Sequence, residues 1–84
     1  MPAPRTFLVE AYAPAASDLA TLLDQARRAA ATQGADQAVM HVRSILVAED
    51  ETCFHLFEAK SIEAVSSAVA AAHIHANRIV EVTT

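Results

Sequence analysis

The segment from Ala38 to Ala59 constrains the fold most, because it predicts two β-strands joined by the acidic turn Glu49-Asp50-Glu51. The two strands carry the polar side chains of His41, Arg43 and His55 among apolar neighbours. Imidazole and guanidinium groups need partners when they are buried, because leaving them unpaired costs several kcal/mol. We therefore expect one face of this hairpin to hold the functional site.

The remainder of the chain predicts a strand and a helix on each side of the hairpin. Ser17 and Asp18 predict the start of the first helix, and Gly34 predicts its end. Ser61 is predicted to cap the second helix. The predicted strands are 6–12, 38–48, 52–58 and 78–83. The resulting order βαββαβ is the ferredoxin-like α+β arrangement, in which two helices cover one face of a four-stranded antiparallel sheet. A chain of 84 residues is predicted to form one domain, residues 1–84.

Composition excludes several classes of partner. The net charge of −4 gives no attraction to phosphates, so a nucleic-acid partner is not expected. No apolar run approaches the roughly 20 residues that span a bilayer, and the N-terminus lacks the apolar stretch of a signal peptide. A single cysteine, Cys53, excludes an intrachain disulfide and suits a reducing compartment. We therefore predict a cytoplasmic protein without a membrane partner.

Alternation along the strands assigns each side chain to one face of the sheet. It predicts Met40, Val42, Ser44 and Leu46 in the core, with Phe54 and Leu56 from the next strand and Val80 and Val82 from the last. A three-residue turn makes the two hairpin assignments consistent. The face opposite the helices would then gather six candidate ligand-binding residues: Glu10, Tyr12, His41, Arg43, His55 and Glu81.

These residues support two interpretations. A carboxylate of Glu10 or Glu81 beside His55 would form a general acid–base pair, and Arg43 would bind an anionic group. The alternative is a network of ion pairs at a dimer interface, without a ligand.

Four histidines and the cysteine are the candidate metal ligands. Cys53 and His55 are two residues apart, with His41 as a third donor, and His73 and His75 flank Ile74 after the second helix. Nitrogen and sulfur donors suit nickel or zinc. The alternatives are a buried thiol with a hydrogen-bonded histidine, and two solvated histidines at a helix end.

The hairpin from Arg43 to Phe54, its continuation Leu56-Phe57-Glu58-Ala59 and the closing Arg78-Ile79-Val80-Glu81-Val82 are similar to a known pattern. Together with Phe7-Leu8-Val9-Glu10, they resemble the small "nickel-binding protein" family, a domain of unknown function. The resemblance implies a ferredoxin-like fold, a homodimer with facing sheets, and nickel or another divalent transition metal as ligand.

The sequence thus leads to three functional hypotheses. The first is a homodimer that binds a small molecule or a divalent metal over the face opposite the helices. The second is a cofactor-free enzyme of the dimeric α/β-barrel type (an isomerase, cyclase or monooxygenase) that uses histidine and glutamate as acid and base. The third is a structural or regulatory dimer.

Overall fold

The structure is a computed structural model that describes residues 4–83. Its elements follow the predicted order: β1 Arg5–Tyr12, α1 Leu19–Ala31, β2 Val39–Val47, β3 Thr52–Ala59, α2 Ile62–Ala71 and β4 Ala76–Val82. The four strands form one antiparallel sheet in the order β2-β3-β1-β4. The ferredoxin-like prediction is confirmed. Neither described helix is long and apolar enough to cross a bilayer.

The helix ends follow local hydrogen bonding. Asp18 precedes α1, and its carboxylate accepts a 3.3 Å hydrogen bond from the Thr21 hydroxyl instead of capping the backbone. The Ser61 hydroxyl oxygen accepts a hydrogen bond from the Ala64 N–H at 3.2 Å, which confirms the predicted cap of α2. At its other end α1 stops at Ala31, before Gly34, which instead precedes a short 3₁₀ turn.

The core lies between the helices and one face of the sheet, which we call the covered face. Its sheet side includes Phe7 and Val9 from β1 and Phe57 from β3, all fully buried. The helices contribute mainly small residues: Ala26, Ala29, Ala64, Val65, Ala68 and Val69. Because the helices contribute short side chains, the largest buried side chains of the core, Phe7 and Phe57, come from the strands.

The predicted face of β3 is wrong. Cys53, His55 and Phe57 are buried on the covered face, whereas Phe54 and Leu56 lie on the opposite side, which we call the open face. Four residues, Ala48–Glu51, separate the paired residues Val47 and Thr52. Glu51 adopts the left-handed conformation, with φ of 49°. A turn of four residues instead of three inverts every side chain of the following strand.

The predicted face of β2 is right for its second half only. A β-bulge at Val42 shifts the register, so that His41 pairs with Phe57 but Arg43 pairs with Leu56. Ser44 and Leu46 therefore lie on the covered face, as predicted, and Arg43 and Ile45 on the open face. Before the bulge the assignment is reversed. Val39 and His41 lie on the covered face, whereas Met40 is 63% exposed.

The predicted face of β4 is also wrong. Val80 pairs with Leu8 and Val82 with Thr6, which places both valines on the open face. Ile79 packs against the core. Glu81 pairs with Phe7 and therefore lies on the same side of the sheet as that residue. The sequence of β4 alternates weakly, with an apolar residue in both phases, so pairing with β1 decides its orientation.

Candidate functional site

The structure separates the residues that the sequence predicted to share one face. Glu10 and Arg43 lie on the open face, whereas His41 and His55 lie beneath the helices. In the register of β1 and β3, His55 is opposite Val9, and Glu10 is opposite Phe54. Glu10 and His55 therefore point away from each other. The predicted acid–base pair of these two residues is not assembled.

Glu81 has a structural partner. Its carboxylate accepts two hydrogen bonds from the Arg5 guanidinium, at 2.9 Å and 2.8 Å, with both side chains about half exposed. This bidentate pair raises the pKa of Arg5 and lowers the pKa of Glu81. The Arg5 guanidinium also lies 5.3 Å from the centre of the Phe7 ring. Glu81 thus links the edge strand β4 to the start of β1.

A chain of hydrogen bonds joins two histidines on the covered face. His41 Nε2 lies 2.9 Å from Ser44 Oγ, which in turn lies 2.5 Å from His55 Nδ1. The bulge at Val42 makes this chain possible, because residues three apart in a regular strand point to opposite faces. The Phe57 ring packs against both imidazoles, with centroid distances of 5.7 Å and 6.2 Å.

Burial controls the protonation of this cluster. His55 is 1% exposed, and burial, with the neighbouring His41, lowers its pKa to about 4. Burial, and to a lesser extent the guanidinium of Arg27, lowers the pKa of His41, and the smaller effect of the Arg43 backbone acts in the opposite direction. Burial raises the pKa of the Cys53 thiol. At neutral pH both imidazoles are therefore uncharged, and the thiol keeps its proton.

His55 also lines a cavity of about 420 Å³ at one end of the covered face. The cavity lies between the end of β1, the first turns of α1, and the segment that follows α2. His73 and His75 line it as well, so three of the four histidines face one space. We call this cavity the histidine pocket. The polar residues Tyr12, Asp18 and Gln25 also line it.

The turn after α2 fixes where the two exposed histidines lie. His73 adopts the left-handed conformation, with φ of 58°, at the position where helices often end in glycine. The Ile74 N–H donates to the Val69 carbonyl at 2.9 Å. The His75 carbonyl accepts from the Tyr12 N–H at 3.0 Å, and the two rings meet edge to face at 6.2 Å. Backbone hydrogen bonds thus hold both histidines beside the end of β1.

Sequence reasoning missed the part played by Ser44, which it placed in the core without a role. No signal in the sequence marks the bulge that brings Ser44 beside His41, because neither glycine nor proline occurs in β2. It also did not foresee that His55 and the two histidines after α2 share a cavity. That proximity depends on how α1 and the end of α2 pack on the sheet.

The donor atoms of the histidine pocket suit a borderline metal ion. Imidazole nitrogens are common ligands of nickel and zinc. Within residues 4–83, however, no three histidine, cysteine or carboxylate groups are close enough together to hold an ion. The pocket therefore has the right chemistry, but its ligands are not preassembled.

The fold and the site define a ferredoxin-like α+β domain with a histidine-lined pocket beneath its helices. A family model described as "Nickel responsive protein SCO4226-like" matches residues 7–82, and the chain belongs to this family. The match confirms the resemblance seen in the sequence, and the name of the family refers to a response to nickel. No curated protein and no solved structure gives a significant match.

Proposed function

We propose that this protein binds nickel, or a similar divalent transition metal ion, in the histidine pocket. The observation that carries the proposal is that His55, His73 and His75, from two separate parts of the chain, line one cavity. The name of the family supports the choice of metal. A nickel-responsive protein needs donors that favour such an ion, and imidazole nitrogens meet that need.

The protonation of the pocket favours metal binding at neutral pH. A histidine binds a metal only through an unprotonated nitrogen, so protons compete with the ion. The low pKa of His55 removes this competition above about pH 4. His73 and His75 are exposed, so their side chains can rotate, and the proposal requires that they turn towards an ion beside His55.

The other two metal candidates fit the proposal less well. Cys53 is fully buried with a raised pKa, and a thiol must lose its proton to become a ligand. His41 is engaged through Nε2 with Ser44, on the far side of that hydroxyl from His55. We therefore place both residues behind the pocket and not among its ligands.

Nickel should stabilise the folded protein. At a free concentration about 100 times the dissociation constant, binding adds about 2.7 kcal/mol, which raises the Tm of a domain of this size by roughly 10–20 °C. The double variant His73→Asn/His75→Gln should lose most of this shift in differential scanning fluorimetry. Asparagine suits position 73, because it tolerates the left-handed conformation of His73. The helix end is therefore preserved while the imidazole is removed.

Ser66→Ala is the control for this experiment, because Ser66 is exposed on α2 and does not line the histidine pocket. It should keep the full nickel-induced shift. The protein must carry no polyhistidine tag. A double variant that retains the wild-type shift would place the metal elsewhere and overturn the proposed site.

We also propose that the protein forms a homodimer through the open face. This surface exposes apolar side chains, among them Val42 and Ile45, each 47% exposed. Exposed apolar surfaces of this kind mark interaction sites. A second copy of the chain suits the surface, because the strand register gives it two acidic and two basic residues, Glu10, Glu58, Arg43 and Arg78. Opposite charges can then meet when two such faces pack together.

The dimer proposal predicts the effect of a charge at the centre of this face. Leu56→Glu should convert the dimer to a monomer in analytical ultracentrifugation, because a dimer would bury the new carboxylate without a partner. Leu19→Glu is the matched control, since Leu19 is 40% exposed at the start of α1, away from the open face. A wild-type protein that remains monomeric at micromolar concentrations would contradict the proposal.

A further inference from the structure

A second cavity, of about 470 Å³, lies at the opposite end of β1 from the histidine pocket. It is formed where β1 and β2 begin and β3 ends, and we call it the apolar pocket. Five apolar residues line it: Pro4, Ala38, Val39, Met40 and Ala59. Small-molecule sites are typically apolar cavities of about 300–1,000 Å³ with a few polar groups. The apolar pocket therefore has the size and character of a ligand site, and the proposed function does not use it.

Three charged residues also line the apolar pocket: Arg5, Glu58 and Lys60. The guanidinium of Arg5 is already engaged, because it donates to the Glu81 carboxylate and to the Lys60 carbonyl. Within residues 4–83, the side chains of Glu58 and Lys60 form no ion pair and no hydrogen bond. Both side chains are flexible, so one carboxylate and one ammonium group are available to an occupant of the pocket.

We infer that the apolar pocket binds an apolar α-amino acid of the size of leucine, methionine or phenylalanine. Such a molecule carries an ammonium and a carboxylate group on one carbon atom, together with an apolar side chain. Its ammonium group pairs with Glu58 and its carboxylate with Lys60, while its side chain packs among the apolar residues of the pocket.

Charge complementarity selects this class of ligand over simpler ones. An apolar anion would pair with Lys60 but would bring its carboxylate near that of Glu58. An apolar amine would pair with Glu58 but would bring its charge near that of Lys60. A fully apolar molecule would leave the half-buried Glu58 without a partner, which is unfavourable. A zwitterion supplies a partner for each group.

Met40 provides an apolar surface beside these charges. Its side chain is 63% exposed, and it pairs with Glu58 across β2 and β3. The flexible thioether of methionine adapts to apolar groups of different shapes, so Met40 suits a contact with the side chain of the ligand. Met40 and Glu58 lie on the open face, and the apolar pocket therefore borders the surface proposed for dimerisation.

Titration of the metal-free protein with L-leucine, followed by ¹H–¹⁵N NMR, tests the inference. Leucine at millimolar concentration should shift the amide signals of Val39, Met40, Glu58 and Lys60 and leave those of the histidine pocket unchanged. Two analogues each lack one charge: 4-methylpentanoate has no ammonium group, and 3-methylbutylamine has no carboxylate. Each should bind about 2–5-fold more weakly than leucine, the effect of losing one exposed ion pair.

Two variants remove the same charges from the protein. Glu58→Gln and Lys60→Met should each weaken leucine binding about 2–5-fold. Glu49→Gln is the matched control, because Glu49 is exposed in the turn after β2 and does not line the apolar pocket. It should bind leucine as the wild type does.

The inference would be overturned by signals of the apolar pocket that do not respond to leucine, or by equal affinities for leucine and its two analogues. Unchanged leucine binding in both Glu58→Gln and Lys60→Met would overturn it as well. The titration is repeated with Leu56→Glu, the variant expected to be monomeric. Binding by this variant but not by the wild type would show that a second copy of the chain occupies the pocket, which also contradicts the inference.

Discussion

Phe57→Ala should destabilise the protein by about 3–5 kcal/mol, the usual cost of removing a large buried ring. Phe57 is fully buried between β3 and the helices, and it packs against the imidazoles of His41 and His55. A domain of this length has a total stability of only about 4–13 kcal/mol. Urea denaturation followed by circular dichroism should show a much lower midpoint for the variant, or no folded protein at all.

Phe54→Ala is the matched control, because Phe54 is on the same strand but on the open face. Its loss of stability should be clearly smaller in dilute protein. The measurement should be repeated over a range of protein concentrations, because Phe54 lies on the surface proposed for dimerisation. If Phe57→Ala does not fold, Phe57→Leu leaves a smaller cavity and permits the comparison. An equal or greater cost at Phe54 would contradict the assignment of faces in β3.

Acidification should destabilise the metal-free protein by about 3 kcal/mol between pH 6.5 and pH 4 through His55 alone. Burial lowers the pKa of His55 from 6.5 to about 4 in the folded protein. In this range the unfolded chain binds a proton that the folded chain does not, so stability rises with pH. The contribution is fully present above about pH 6.5 and is lost as the pH falls towards 4.

A series of urea denaturations at different pH values, in the presence of a chelator, measures this effect. His55→Gln provides the comparison, because its amide does not titrate. The difference in stability between wild type and variant should shrink as the pH falls from 6.5 to 4, while the titration of the carboxylates affects both proteins alike. A difference that is independent of pH would show that His55 is not buried as an uncharged imidazole.

The order of the elements could be predicted from the sequence because each has a local signal. Ser61 caps α2 through its own side chain, and the apolar spacing in α1 follows the helical period. Alternation assigned the faces of β1 correctly, with Phe7, Val9 and Ala11 buried, but the faces of β2, β3 and β4 could not be predicted in the same way. β2 is apolar in both phases, so its sequence does not reveal the bulge at Val42, and the turn 48–51 is one residue longer than its acidic residues indicated.

The candidate site, like the fold, could be predicted from the sequence only in part. Residue chemistry singled out His55, His73 and His75 as candidate metal ligands, but their shared cavity depends on the tertiary packing of α1 and the end of α2. Ser44 has no distinguishing neighbours in the sequence. Its position between two imidazoles arises only from the bulge.

The most direct test of the proposed metal site is a nickel titration of ¹⁵N-labelled, untagged protein followed by ¹H–¹⁵N NMR. Nickel bound in the histidine pocket should first shift or broaden the amide signals of Gln25, His55, His73 and His75, which belong to three different parts of the chain. The signals of Arg43 and Ile45, on the open face, should change little at the same concentration. Perturbation centred on the open face, or no perturbation at any site, would contradict metal binding in this pocket.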